Sequence, residues 1–150
     1  MWAVEKGREG VVTRILELGA NIEPVDEDGW SAVMYAARRG NVKMTTQLLT
    51  FGANLNHQSS EDGFTALHLA CGNELVDMGG CLIKAGADLL IRDNDGKTAI
   101  KYIKDPKNRE KLEDCATQTY KEGKTASDLH KQRTDAATER YISSKFSKYT

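Results

Sequence analysis

Two short markers recur along this chain at one period. Asp-Gly stands at 28–29, 62–63 and 95–96, and Gly-Ala followed by Asn or Asp stands at 19–21, 52–54 and 86–88. Successive offsets are 34 and 33 for the first marker and 33 and 34 for the second, so both place one extra residue between Gly52 and Gly63. An aligned tetrapeptide follows each Asp-Gly: Ser31-Ala32-Val33-Met34, Thr65-Ala66-Leu67-His68 and Thr98-Ala99-Ile100-Lys101. A unit this short cannot bury its apolar face alone, so its copies must stack to build a shared core.

Each unit has a local logic. Asp-Gly is a tight-turn signal, because glycine accepts positive φ without a Cβ penalty. The Ser or Thr two residues later is a helix N-cap candidate, since its oxygen can accept from a first-turn N–H that lacks a partner. A short helix follows, from Ala32 to Arg39 in the second copy, with Gly40 as a left-handed cap. A second helix is predicted from about Val42 to Phe51, where Met44, Leu48 and Leu49 recur at helical spacing and mark the buried stripe. Gly52 ends it, and Leu55 opens an extended arm towards the next turn.

This unit resembles the ankyrin repeat, a β-turn, a Thr-Pro-Leu-His helix start and a second helix ending in Leu-Leu-x-x-Gly-Ala. Thr65-Ala66-Leu67-His68-Leu69-Ala70 and Leu82-Ile83-Lys84-Ala85-Gly86-Ala87-Asp88 match best, followed by Leu48-Leu49-Thr50-Phe51-Gly52-Ala53-Asn54. The resemblance implies an all-α solenoid of stacked helix-turn-helix units joined by β-turn hairpin loops. It also implies that His68 is a structural histidine bonding backbone in the neighbouring turn. There are departures. The family proline is Ala32, Ala66 and Ala99, and the glycine between helices (Gly7, Gly40) becomes Glu74. Gly72, Gly79 and Gly80 fall at helical positions, where each costs roughly 1 kcal/mol relative to alanine. The third unit is therefore expected to be the loosest of the full ones.

Repeats are expected over residues 1–112: a partial first unit, two full units and a capping fourth. Met1-Trp2-Ala3-Val4 aligns with Met34-Tyr35-Ala36-Ala37, so the first unit starts inside its first helix. Either it is a truncated cap or the sequence begins inside a longer one, the second being favoured. The fourth unit turns polar over 104–111, as the wettable outer side of a terminal cap requires, and Pro106 suits the first position of a helix. Residues 113–130 are either a capping helix or a decayed fifth repeat, because Glu122-Gly123-Lys124-Thr125 echoes the fourth start. Residues 131–150 form a polar tail or a loosely attached helix.

Composition removes several function classes. The 150 residues are 39% hydrophobic and 29% charged with a net charge of −1, so nothing in the whole-chain charge argues for nucleic acid. Residues 1–100 hold nine basic and 14 acidic side chains, and residues 101–150 hold 12 and eight. No run approaches the roughly 20 apolar residues of a membrane helix. Met1 to Gly10 lacks the apolar stretch of a signal peptide. Cys71, Cys81 and Cys115 lack paired spacing and read as free thiols of a reducing compartment, cytoplasmic or nuclear; Cys71 and Cys81 are expected to be small buried apolar residues. Gly96-Lys97-Thr98 and Gly123-Lys124-Thr125 lack the earlier glycine of a phosphate-binding loop. His57, His68 and His130 do not pair at metal-ligand spacing. No catalytic residue, metal site or cofactor is expected, and the chain is not expected to be an enzyme.

The resemblance implies binding through the concave face made by turn tips and first helices. The residues placed there as partner-binding are Trp30, Tyr35, Arg38, Arg39, Phe64, Asn73, Arg92 and Lys97. Trp30 and Phe64 follow the turn glycines, where stacking needs no aromatic, and interface hot spots favour Trp, Tyr and Arg. They either anchor a partner or fold over their own hairpins. Acidic turns at Asp26, Glu27, Asp28, Glu61 and Asp62 favour a protein partner with basic groups. The function expected is that of a protein–protein interaction scaffold or adaptor, with a monomer favoured. The alternative is the recognition arm of a larger signalling or catalytic protein of the kinase or ubiquitin-ligase type.

Overall fold

Short helices form wherever the repeated unit presents an apolar stripe, and in the computed structural model, which describes residues 1–121, they come in pairs. The order is α1 (Trp2–Glu5), α2 (Glu9–Glu17), α3 (Ala32–Arg38), α4 (Val42–Thr50), α5 (Ala66–Gly72), α6 (Val76–Lys84), a 3₁₀ turn (Ala99–Tyr102) and α7 (Pro106–Lys121). First helices contact first helices in the series α1, α3, α5 and the 3₁₀ turn, while α4, α6 and α7 contact one another in the same order. One apolar core runs through all the units, from Ala3 and Val4 through Met34, Met44, Leu67, Met78 and Leu82 to Ile103, Leu112 and Ala116. Burying a Leu or Met side chain in such a core is worth roughly 1.5–3 kcal/mol, which no single helix pair could gather by itself.

Between helix pairs the chain makes hairpins. Val25 pairs with Ser31 and Arg92 with Thr98 as isolated antiparallel bridges. In the middle copy Ser59 N–H donates to Phe64 O at 2.9 Å, a span of five residues where Asp26 and Trp30 span four. The extra residue of the sequence count therefore lies in this turn. Successive hairpins are tied in register: Ser60 N–H donates to Asp28 O at 3.0 Å and Asn94 N–H to Asp62 O at 2.9 Å. The turn glycines permit this approach. Gly29 has φ +80°, and a Cβ there would run into Ser60 Oγ and lie 2.5 Å from Ser60 N; one on Gly63, at φ +72°, would lie 2.6 Å from Asn94 Oδ1.

Several local expectations change on contact with the structure. Only Thr65 among the three Ser/Thr candidates caps through its side chain, in a capping box with His68. Ser31 and Thr98 occupy the extended N-cap conformation but make no side-chain cap bond. The fourth unit opens with a 3₁₀ turn rather than an α-helix, and the chain is already extended at Ile103. Pro106 then begins α7, which runs unbroken across residue 112. Residues 122–130, where a decayed repeat was weighed, and the tail at 131–150 lie outside the described residues. Cys71 is buried, whereas Cys81 is only half-buried.

Two features of the third unit explain its departures from the repeat pattern. Gly79 lies under Leu112 of α7, and a Cβ there would meet Leu112 Cδ1 at 2.9 Å. Glu74 keeps the left-handed backbone of the glycines it replaces, at φ 58° against 68° for Gly7 and 71° for Gly40. Its carboxylate accepts from Lys104 N–H at 2.6 Å and from Asn108 Nδ2 at 2.9 Å, clamping the start of α7. The Asn108 bond and then the Lys104 N–H hold the Glu74 carboxyl below its ordinary pKa.

Candidate protein-binding surface

The predicted site residues separate into two aromatic–cation clusters on the hairpin and first-helix side. In the first, the Trp30 and Tyr35 rings sit with centroids 5.2 Å apart, and the Arg38 guanidinium lies 5.3 Å from the Trp30 centroid. Asp26 organises this group. Its Oδ1 accepts from Trp30 N–H at 2.8 Å and Asp28 N–H at 3.1 Å, and its Oδ2 accepts from the Tyr35 hydroxyl at 2.5 Å. Burial opposes ionisation of Asp26, but these donors outweigh it and its carboxyl titrates below the ordinary range. The same bond pushes the Tyr35 phenol up to about 12. The ring is thus fixed beneath Trp30 while Arg38 and Arg39 stay exposed.

The second cluster spans the third and fourth units. Phe64 stacks on His68 with centroids 5.7 Å apart and meets the edge of Tyr102 at 5.4 Å. Lys97 Nζ sits 5.5 Å from the Tyr102 centroid and 3.4 Å from Asp95 Oδ2. The Tyr102 hydroxyl donates to Asp93, which also accepts from Lys97 and Asp95 N–H, repeating the Asp26–Tyr35 arrangement two sequence markers later. Phe64 and Trp30 are both half-buried against the core, so each packs over its own unit and still shows part of a face.

His68 acts as a structural residue. Its Nδ1 accepts from Thr65 N–H at 3.2 Å, so Nε2 carries the proton and donates to Lys97 O, 3.1 Å away in the next hairpin. Burial draws its pKa below the ordinary value, against the pull of the Lys97 carbonyl and Asp93.

The remaining predicted residues serve the scaffold as well as the surface. Asn73 is exposed but donates to Leu69 O at 2.8 Å, capping α5. Arg92 donates to Gly96 O at 2.8 Å and braces its hairpin. In the sequence Asp26 stood out only as one of the acidic turn residues, and Asp93 and Tyr102 did not; the signal available was the recurrence of Asp and Tyr nine residues apart in two units. Burial pushes the Cys71 thiol up to about 12, which leaves it unreactive.

A family model for ankyrin repeats, in three copies, matches residues 1–93. The chain belongs to the ankyrin repeat family. Its ankyrin stack is 38% identical over 87 residues to the mouse B-cell lymphoma 3 protein homolog, covering 57% of this chain and 19% of that protein. It is 35% identical over 98 residues to a cyclin-dependent kinase inhibitor 2A of Monodelphis domestica, covering 65% and 57%. The crystal structure of the ankyrin repeat domain of Bcl-3 superposes with a TM-score of 0.68 at 31% identity, covering 73% of this chain and 48% of that one. The ankyrin chain thus spans well under two thirds of these relatives. Ankyrin repeats are protein-interaction modules, and among the described residues no helix is long and apolar enough to cross a membrane.

Proposed function

We propose that this ankyrin stack is a scaffold or adaptor that holds a protein partner on its concave face and performs no chemistry of its own. The observation that carries this reading is the Trp30–Tyr35–Arg38 cluster. A tryptophan and an exposed arginine are stacked together, over a tyrosine already fixed by a buried-side bond to Asp26, at positions that inter-unit packing does not require. Pre-ordered aromatics and guanidinium lose little freedom on docking. Arg39, Phe64, Asn73, Arg92 and Lys97 extend the surface. Exposed Glu27, Asp28, Glu61 and Asp62 on the turn tips favour basic groups on the partner. The free cysteines support a reducing compartment, cytoplasmic or nuclear.

Affinity capture with the full chain tests the site. Trp30→Ala combined with Arg38→Ala is expected to abolish recovery of the partner. Because Trp30 is half-buried, Arg38→Glu alone provides a variant that leaves the core untouched and is expected to weaken capture at least about tenfold, or 1.4 kcal/mol. Unchanged capture by both variants, with helicity and Tm intact, would refute the site. A second reading, the recognition arm of a larger signalling or catalytic protein, draws on the small share of its relatives that the chain spans.

A further inference from the structure

We infer that the groove of the fourth unit, which shares Arg92 and Lys97 with the edge of the proposed surface, is a second docking site, for an acidic, leucine-bearing segment of a protein partner. The groove, about 660 Å³, is walled by Arg92 and Lys97 from the hairpin, Lys101 from the 3₁₀ turn and Arg109 from α7, with Ile100 in its floor and Glu113 at its edge. Four cations against one carboxylate in the lining set its sign, opposite to that of the acidic turn tips of the earlier units.

The repeat pattern shows why this charge is informative. Lys101 occupies the register position of Met34 and His68. Those two side chains are 0% and 2% exposed, covered where the following unit packs. His68 even bonds Lys97 O of that following unit. A lysine at this position would lose its hydration beneath another apolar repeat, at a cost of several kcal/mol if unpaired. Among the described residues, the face that elsewhere receives the next unit here presents exposed Arg92, Lys97, Lys101 and Arg109.

An acidic peptide fits this groove better than a polyphosphate does. Asp95 is bonded to Lys97 at one side, and Glu113 stands at the other. Carboxylates spaced along a peptide can alternate past these two, whereas a continuous phosphate chain would meet both. Ile100, 5% exposed, offers a small apolar contact to a side chain of the same peptide. The inference rests on the proposed protein-binding role but uses different residues from the Trp30–Arg38 cluster.

Fluorescence anisotropy of the full chain tests it, with a short labelled peptide of alternating glutamate and leucine as the probe. Saturable binding is expected, weaker at higher salt. Lys97→Glu with Lys101→Glu is expected to weaken it at least about tenfold, with circular dichroism and Tm unchanged. Lys84→Glu on α6 and Arg38→Glu are expected to leave it unaltered. The inference is overturned if the full chain does not bind the peptide, if Lys84→Glu weakens binding as much as the groove variant, or if oligothymidylate binds more tightly through the same lysines. Should Arg38→Glu block partner capture while the groove variant leaves peptide binding intact, the groove fails and the concave-face reading stands.

Discussion

A single histidine illustrates how a repeat converts a local choice into a long-range bond. His68 closes the capping box with Thr65 through one ring nitrogen, and the other nitrogen reaches the backbone of the next hairpin. The Thr65 bond to Nδ1 requires the neutral ring, the Nε2–H bond to Lys97 O persists in either state, and burial lowers the pKa below the unfolded value of about 6.5. The sign follows. Above about pH 6.5 neither state is protonated and the contribution is complete; as pH falls below that, the unfolded chain takes up the proton first and stability declines until the folded-state pKa is passed. Urea unfolding midpoints of the wild type and of His68→Gln, compared at about pH 7.5 and about pH 5.5, isolate this from the carboxylates and His57. The wild type is expected to lose more on acidification than the variant. Equal losses would show that His68 does not titrate differently in the two states.

At the scale of the element, the glycines of α6 separate what propensity says from what packing says. By propensity, Gly79 and Gly80 are equivalent flaws, each costing roughly 1 kcal/mol against alanine. In the structure they are opposites. Gly79 makes room for Leu112, a core side chain 2% exposed whose terminal methyls would have to shift, whereas a Cβ at Gly80 would find only Cys115 Sγ at 3.7 Å. Gly80→Ala is therefore expected to stabilise by up to about 1 kcal/mol. Gly79→Ala is expected to destabilise by about 1 kcal/mol net, because overpacking costs about 1–3 kcal/mol and outweighs the propensity gain. Thermal melts of the two variants with opposite shifts would bear this out; parallel shifts would not. The same contrast marks what was legible in the sequence. The period, the helix pairs and the turn glycines are carried by residues that repeat; the structural histidine occurs once, among Met34 and Lys101, and was legible through the family resemblance. The Leu112–Gly79 contact and the Glu74 clamp depend on pairs of residues about 30 apart that occur once. The aromatic–cation cluster was legible as a set of exposed types, but not the Asp26 carboxylate that holds it; Arg109 was absorbed into a merely wettable cap, and Lys101 was read only as a departure from the repeat.

For the whole molecule, stability is a sum over units and their interfaces, so it need not be uniform along the stack. Register comparison shows where it is low. Met44 and Leu48 of α4 and Met78 and Leu82 of α6 are at most 1% exposed, yet Val11 and Ile15, at the same positions of α2, are each 45% exposed. Leu18 is 71% and Trp2 62% exposed. The first unit thus has one packed interface, and its tie to α4 rests on Glu9, which bonds Asn41 at 3.2 Å and Lys43 at 2.8 Å across a partly exposed surface. The third unit has packed interfaces on both sides, with α5 against α3 and the 3₁₀ turn and α6 against α7. The sequence-based expectation that its extra glycines make it the loosest full unit counts propensity and leaves out these interfaces. Amide hydrogen exchange followed by mass spectrometry resolves the difference, because local opening free energies range from near zero to the global value. Exchange is expected to be fastest in α1 and α2, slower in α3 and α4, and slowest in α5. Fast exchange in α5 and α6 alongside a protected α2 would mean that helix-interior glycine, and not the number of packed interfaces, governs how this stack opens.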